Sequence, residues 1–256
     1  MPPVKNIVLV HGAWANGSSW SKVIPLLQAK GLHVVAVHNP LTSIADDVAA
    51  TNRVLNAQDG PVVLVGHSYG GAIITGAGNH PKVVGLVYVA AFAPDEGETL
   101  TSLAGNFPTP PLFSELQPLD DGFLLLTPKG MREDFAQDLS TEEQELMIVT
   151  QAATQGAVLS TTITTAAWHS KPSWFVVASN DRAIAPEQEI YTARRMNAKT
   201  VTVPSSHVAM LSHPQDVAAL VIEAAATAGD RPAVTVPASA RSASDATEGA
   251  RPQASM

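Results

Sequence analysis

Ser68 stands in Gly66-His67-Ser68-Tyr69-Gly70, directly after the apolar run Val62-Val63-Leu64-Val65 and directly before Gly71-Ala72-Ile73-Ile74. A serine hydroxyl is a weak nucleophile until a histidine takes its proton. That histidine needs a carboxylate to fix its tautomer and stabilise the imidazolium. Gly-x-Ser-x-Gly between a strand run and a helix reads as a sharp turn that holds its serine in strained geometry, with the hydroxyl projecting at the end of a sheet. Glycines at 66 and 70 leave room beside it. The first turn of the following helix adds unpaired N–H groups, which suit a developing oxyanion.

The partners of such a serine lie later in the chain, in the order acid then histidine, on loops just after strands. Of the eight histidines, His11, His33 and His38 precede the serine and His67 abuts it. His80 follows the helix after the serine, His169 lies before a strand, and His213 begins the last helix. His207, in Pro204-Ser205-Ser206-His207-Val208, falls between the final strand and the final helix and is the candidate base. For the acid, Asp181 follows the penultimate strand and is favoured, with Asp95, after the strand ending at Ala91, as its competitor. Glu187 better fits the first turn of a helix. An oxyanion hole needs two N–H groups. Tyr69, after the nucleophile, supplies one, and Ala13, in the loop after the first strand, supplies the other. Gly12 lets the backbone approach the substrate, and Trp14 either lines the pocket or packs its loop. Neither His-Glu-x-x-His nor a paired His and Asp at ligand spacing occurs, and the dinucleotide fingerprint is missing after the first strand, so no metal and no cofactor is expected.

The elements that must position these residues follow from periodicity. Ile7-Val8-Leu9-Val10 is a continuous apolar run, as in a strand buried on both faces of a parallel sheet. A helix is expected from about Ser19 to Lys30, with Gly31 capping its end, then a strand over 33–37. A second helix from about Ser43 to Ala57 carries Asp46 and Asp47 in its first turn. The strand at 61–65, the serine turn, a helix to about Asn79 and a strand from Val83 to Ala91 follow. This alternation implies right-handed βαβ units and a doubly wound, mostly parallel sheet. The rhythm breaks after Pro94. Between 95 and 171, helical patterns near Arg132–Asp138 and Thr141–Gln155 predict an inserted helical cap rather than one long loop. Ser140 and Glu143 read as a capping box for the second of them. The sheet resumes at 173–178, a helix spans Pro186 to about Met196, a strand covers Thr200–Val203, and a helix runs from Pro214 to about Thr227. The expected organisation is a core of 1–94 and 172–228, a cap of 95–171, and a disordered tail over 229–256, where apolar periodicity vanishes.

The chain has 256 residues, enough for one large domain, with 45% hydrophobic residues and a formal net charge of −8. That charge and the absence of any basic run argue against nucleic acid or an anionic membrane as partner. There are no cysteines. Disulfides and thiolate chemistry are therefore excluded, and a reducing compartment fits. No signal-peptide pattern opens the sequence and no apolar run approaches the length of a membrane span, so a cytoplasmic location is expected.

The motifs His11-Gly12-Ala13-Trp14, Gly66-His67-Ser68-Tyr69-Gly70-Gly71 and Ser206-His207-Val208-Ala209-Met210-Leu211-Ser212 resemble those of the α/β-hydrolase superfamily, and within it the plant methylesterase and hydroxynitrile lyase branch and its bacterial esterase relatives. The resemblance covers about 1–228. It implies an α/β-hydrolase fold, Ser68, Asp181 and His207 as triad, and Ala13 and Tyr69 as oxyanion donors. Lyases of that branch typically carry a threonine after the first-strand histidine and a lysine after the catalytic histidine. This chain has Gly12 and Val208 there, which favours hydrolysis. The expected function is a serine carboxylesterase acting on small to medium apolar esters. The expected partner is a small-molecule ester, and a homodimer stays open. The alternatives are a carbon–carbon lyase, which would release cyanide from mandelonitrile, and a receptor, which would bind tightly without turnover.

Overall fold

The structure, a computed structural model, describes residues 4–228. The tail expected over 229–256 lies outside the described residues. In chain order the strands are β1 (Asn6–Val10), β2 (His33–Ala36), β3 (Val62–Ser68), β4 (Val83–Ala91), β5 (Leu116–Pro118), β6 (Phe123–Leu126), β7 (Thr154–Gln155), β8 (Ser173–Ala178) and β9 (Lys199–Val203). Six of them form one sheet in the order β2-β1-β3-β4-β8-β9, with every pairing parallel. The order reverses between β1 and β3, because the chain steps outward to β2 before returning. Such a reversal opens a crevice beyond the strands' C-terminal ends. β3 is central and buried at every residue, which its unbroken apolar run requires.

The helices are α1 (Ile24–Gln28), α2 (Ile44–Ala57), α3 (Tyr69–Ala77), α4 (Leu100–Ala104), α5 (Pro128–Gly130), α6 (Thr141–Thr150), α7 (Pro186–Arg195), α8 (Ala209–Ser212) and α9 (Pro214–Thr227). Their starts follow capping chemistry. The Ser43 side chain accepts from the Asp46 N–H ahead of α2, and Ser140 and Glu143 form a reciprocal capping box ahead of α6. The single helix expected over Ser19–Lys30 is instead a 3-10 turn at Gly17–Trp20 followed by α1. Pro25 accounts for the break. It has no N–H to donate, so it sits at the start of a helix rather than inside one. Gly31 ends that stretch at φ 74°, in the left-handed region.

Between 95 and 171 the expected helix near Arg132–Asp138 is a five-residue π-helical turn, Met131–Phe135. The one expected over Thr141–Gln155 is α6, which stops at Thr150 because Thr154–Gln155 joins an antiparallel sheet of order β5-β6-β7. Its centre, Phe123-Leu124-Leu125-Leu126, is an apolar run too short to declare strand or helix by period. Trp14 fastens this small sheet to the core. Its backbone N–H donates to Thr154 Oγ1 at 3.1 Å, and its indole Nε1–H donates to the Leu124 carbonyl at 3.1 Å.

Candidate active site

Ser68 ends β3 and directly precedes α3, at φ 54° and ψ −124°. That combination is sparsely populated for any residue with a side chain. The turn closes only because its flanks lack Cβ atoms. A Cβ on Gly66 would lie 2.6 Å from the Gly70 carbonyl oxygen, and one on Gly70 would lie 2.6 Å from that of Val10. No real Cβ approaches so closely. The start of α3 thus sits against the end of β1, and the Ser68 side chain makes no capping bond to its own helix.

His207 follows β9 and is buried. Its Nδ1 lies 2.6 Å from Asp181 Oδ2. Asp181 Oδ1 accepts the N–H groups of Ala183 at 2.7 Å and Ile184 at 3.0 Å. The two loops are tied to each other as well, since Asn180 N–H donates to the Ser205 carbonyl. Asp95, the competing acid, is turned elsewhere: its Oδ1 pairs with His169 Nε2 at 2.6 Å. Glu187 occupies the first turn of α7 and is exposed.

Ser68, His207, Ala13, Tyr69 and Trp14 line one cavity of about 30 Å³, and Phe92, Leu100, Leu112, Phe113 and Ile184 are among its apolar walls. Tyr69 is the first residue of α3, so its N–H has no partner inside the helix. Trp14 N–H is committed to Thr154 and so is not available to the cavity, which Ala13 also lines. Trp14 does both things open to it: it lines the cavity and packs its loop.

Three residues that sequence reasoning passed over hold this arrangement. Asp47 is buried, and more than a dipole partner of α2. Its Oδ1 accepts from Leu41 N–H at 2.8 Å, and its Oδ2 accepts from Tyr69 Oη–H at 2.6 Å. Burial raises the Asp47 carboxyl above its usual range, and burial followed by the Asp47 charge raises the Tyr69 phenol. His67 donates from Nε2 to the His207 carbonyl at 2.9 Å, with its ring 4.7 Å from that of His207. Burial, with His207 second, holds His67 well below the usual imidazole range and keeps it neutral. Asp138 accepts from Ser206 N–H at 2.8 Å and steadies the loop that carries His207. An acidic residue inside a buried helix phase was the one available signal for Asp47. His67 and Asp138 carry none.

Among the described residues no group of three or more His, Asp or Glu is arranged to hold a metal ion, and no helix is long and apolar enough to cross a membrane.

Comparison with known proteins adds to this geometry. The family model described as the alpha/beta hydrolase family matches residues 7–220. A pyrethroid hydrolase from Sphingobium wenxiniae is 36% identical over 150 residues, covering 52% of this chain and 51% of that protein. A carbendazim hydrolyzing esterase from a Nocardioides species is 34% identical over 114 residues, covering 38% of this chain and 46% of the other. The match thus spans about half the length of each of these two relatives. A crystal structure of polyneuridine aldehyde esterase superposes with a TM-score of 0.76 at 22% identity, over 86% of this chain and 98% of that one. At that identity the likeness is one of fold. With a family match running from β1 into α9, the chain belongs to the alpha/beta hydrolase family.

Proposed function

We propose that this protein is a serine carboxylesterase acting on small to medium apolar esters through an acyl-enzyme. The observation that carries the reading is the 2.6 Å contact of His207 Nδ1 with Asp181, in the cavity that Ser68 also lines. With Nδ1–H held by the carboxylate, His207 Nε2 is the free acceptor for the Ser68 hydroxyl proton. Ser68 Oγ attacks the ester carbonyl, and the N–H groups of Ala13 and Tyr69 hold the oxyanion. His207 then gives its proton to the leaving alcohol. In the second half it takes a proton from water, which attacks the acyl carbonyl, and it returns that proton to Ser68 as the acid departs. The apolar lining favours apolar substituents on both sides of the carbonyl, and the two relatives, a pyrethroid hydrolase and a carbendazim hydrolyzing esterase, agree with ester hydrolysis.

The lyase alternative loses ground at two positions. A Cβ on Gly12 would lie 2.7 Å from the Ser68 Cβ, so a threonine there requires the serine turn to move. Val208 is buried and apolar, and supplies no cation for a leaving cyanide. The deciding experiment is Ser68→Ala with p-nitrophenyl acetate and butyrate. Turnover is expected to vanish while the circular dichroism spectrum stays that of the wild type. Turnover equal to wild type, or cyanide release from mandelonitrile exceeding ester hydrolysis, overturns the reading.

A further inference from the structure

The inner face of α7 carries a group that the reaction above does not use. Glu189 shares that face with Gln188, Thr192 and Ala193, all buried, and its side chain is closed to solvent. An ionised carboxylate in such a place needs a donor for each oxygen. Oε2 has one, the Ala178 N–H at 3.0 Å. No N–H or O–H is aimed at Oε1. What Glu189 faces at hydrogen-bonding range is a second carboxyl group, that of Asp181.

The two carboxyls are not equivalent. All three partners recorded for Asp181, the Ala183 and Ile184 N–H groups and His207 Nδ1–H, are donors, so Asp181 is an acceptor throughout. Glu189 has one donor and an orphaned oxygen. Two facing carboxyls in a dry site form a hydrogen bond only when one of them holds a proton. Glu189 is the one with an oxygen free to carry it. Burial first, and the Asp181 charge second, push Glu189 well above the ordinary carboxyl range. Asp181, from the loop after β8, is the charged group acting on it. His207, from the loop after β9, reaches it through Asp181, and Glu187 on its own helix is exposed.

We propose that Glu189 is a protonated carboxylic acid whose O–H donates to Asp181, a positioning residue that fixes the carboxylate behind His207. The chain of bonds then runs from the Ala178 N–H at the end of β8, through Glu189 and Asp181, to His207. Its effect on turnover rests on the triad reading above, whereas the place of the proton does not. Without this donor Asp181 loses a hydrogen-bond partner and becomes more basic. It then holds the imidazolium more tightly, and the acid limb of kcat/KM moves to higher pH.

Glu189→Gln and Glu189→Met separate the possibilities. Glutamine is neutral, can donate to Asp181 and can still accept from Ala178. It is expected to keep kcat/KM within about threefold of wild type, with an unmoved pH profile. Methionine keeps the volume and loses the donor. It is expected to lower kcat by about tenfold with KM little changed, and to raise the acid limb. The wild-type minus Glu189→Gln infrared difference spectrum at neutral pH should show the carbonyl stretch of a protonated carboxylic acid, shifted by 13C-glutamate labelling. This reading is independent of activity and survives a failure of Ser68→Ala to abolish turnover. If Glu189→Met does not fold, the infrared band and the glutamine profile decide. No such band overturns the proposal. So does a downward shift of the acid limb in Glu189→Gln, which is the signature of a lost negative charge. A methionine variant with wild-type kcat and profile refutes the positioning role.

Discussion

Ser68 carries backbone strain that its neighbours enforce. At φ 54° and ψ −124° a residue with a Cβ is disfavoured by about 1–3 kcal/mol, and the contacts across Gly66 and Gly70 leave the turn no other course. Ser68→Gly relieves that strain and Ser68→Ala does not. Glycine's greater freedom in the unfolded chain offsets part of the gain, so Ser68→Gly should exceed Ser68→Ala in stability by about 1 kcal/mol, with both inactive. Urea unfolding of the two variants measures the difference, and equal midpoints would show that the turn is not strained. At this scale Ser68, His207 and Asp181 were legible as candidates because each stands at a fixed place relative to a strand, Ser68 at the end of β3 and the other two just beyond β9 and β8. Glu189 was not. Its role depends on the phase of α7 against the sheet, and a sequence shows only that an acid stands in the first turn, where the dipole already explains it.

At the scale of elements, the segment between β4 and β8 shapes what reaches Ser68. The cavity at the serine, about 30 Å³, has room for one or two water-sized groups. Phe92, Leu100, Phe113 and Leu159 are shared with a second chamber of about 210 Å³, which α4 also lines through Thr101 and Ala104. Phe113, on the turn ahead of β5, is the partition most easily removed. Phe113→Ala is expected to raise kcat/KM for p-nitrophenyl octanoate relative to acetate by about tenfold, the scale of one or two methylene contacts. An unchanged ratio would mean that the second chamber takes no part in substrate binding. Of the helices here α6 was legible from Ser140 and Glu143 and from the period that follows them, whereas α4 and α5, of five and three residues, are too short to show one. The β5-β6-β7 sheet was not legible either, because strands of two to four residues are too short to show a period.

Across the whole molecule, buried titratable groups set how stability depends on pH. Burial draws His11 down to about 4 and His67 well below its usual range. In the unfolded chain both bind protons near 6.5, so below that pH the unfolded state binds more protons than the folded one. Stability is therefore full above 6.5 and is lost as pH falls through the folded values. For His11 alone the loss is of the order of 3 kcal/mol. Asp47 and Glu189 act in the opposite direction. Their raised folded values give stability that is full below the ordinary carboxyl range and declines as pH rises. Between pH 7 and pH 5 the two histidines lower the urea midpoint as pH falls, and the two carboxyls offset that loss. His11→Gln should therefore lose less of its midpoint than wild type over this range, whatever its effect on absolute stability, and a loss equal to that of wild type would rule out His11 as a contributor.

The sequence by itself determined the sheet, the serine turn, and the loops that carry His207 and Asp181. These follow from local features: apolar runs, glycines where a Cβ cannot fit, and histidine and aspartate just beyond strands. The tertiary structure decided the contacts between distant segments. It paired Asp181 rather than Asp95 with His207, bound Tyr69 to Asp47, and set Trp14 against β6 and β7. It also brought Glu189 up behind Asp181. Such contacts depend on helix phase and strand order in three dimensions, which neither composition nor spacing along the chain encodes.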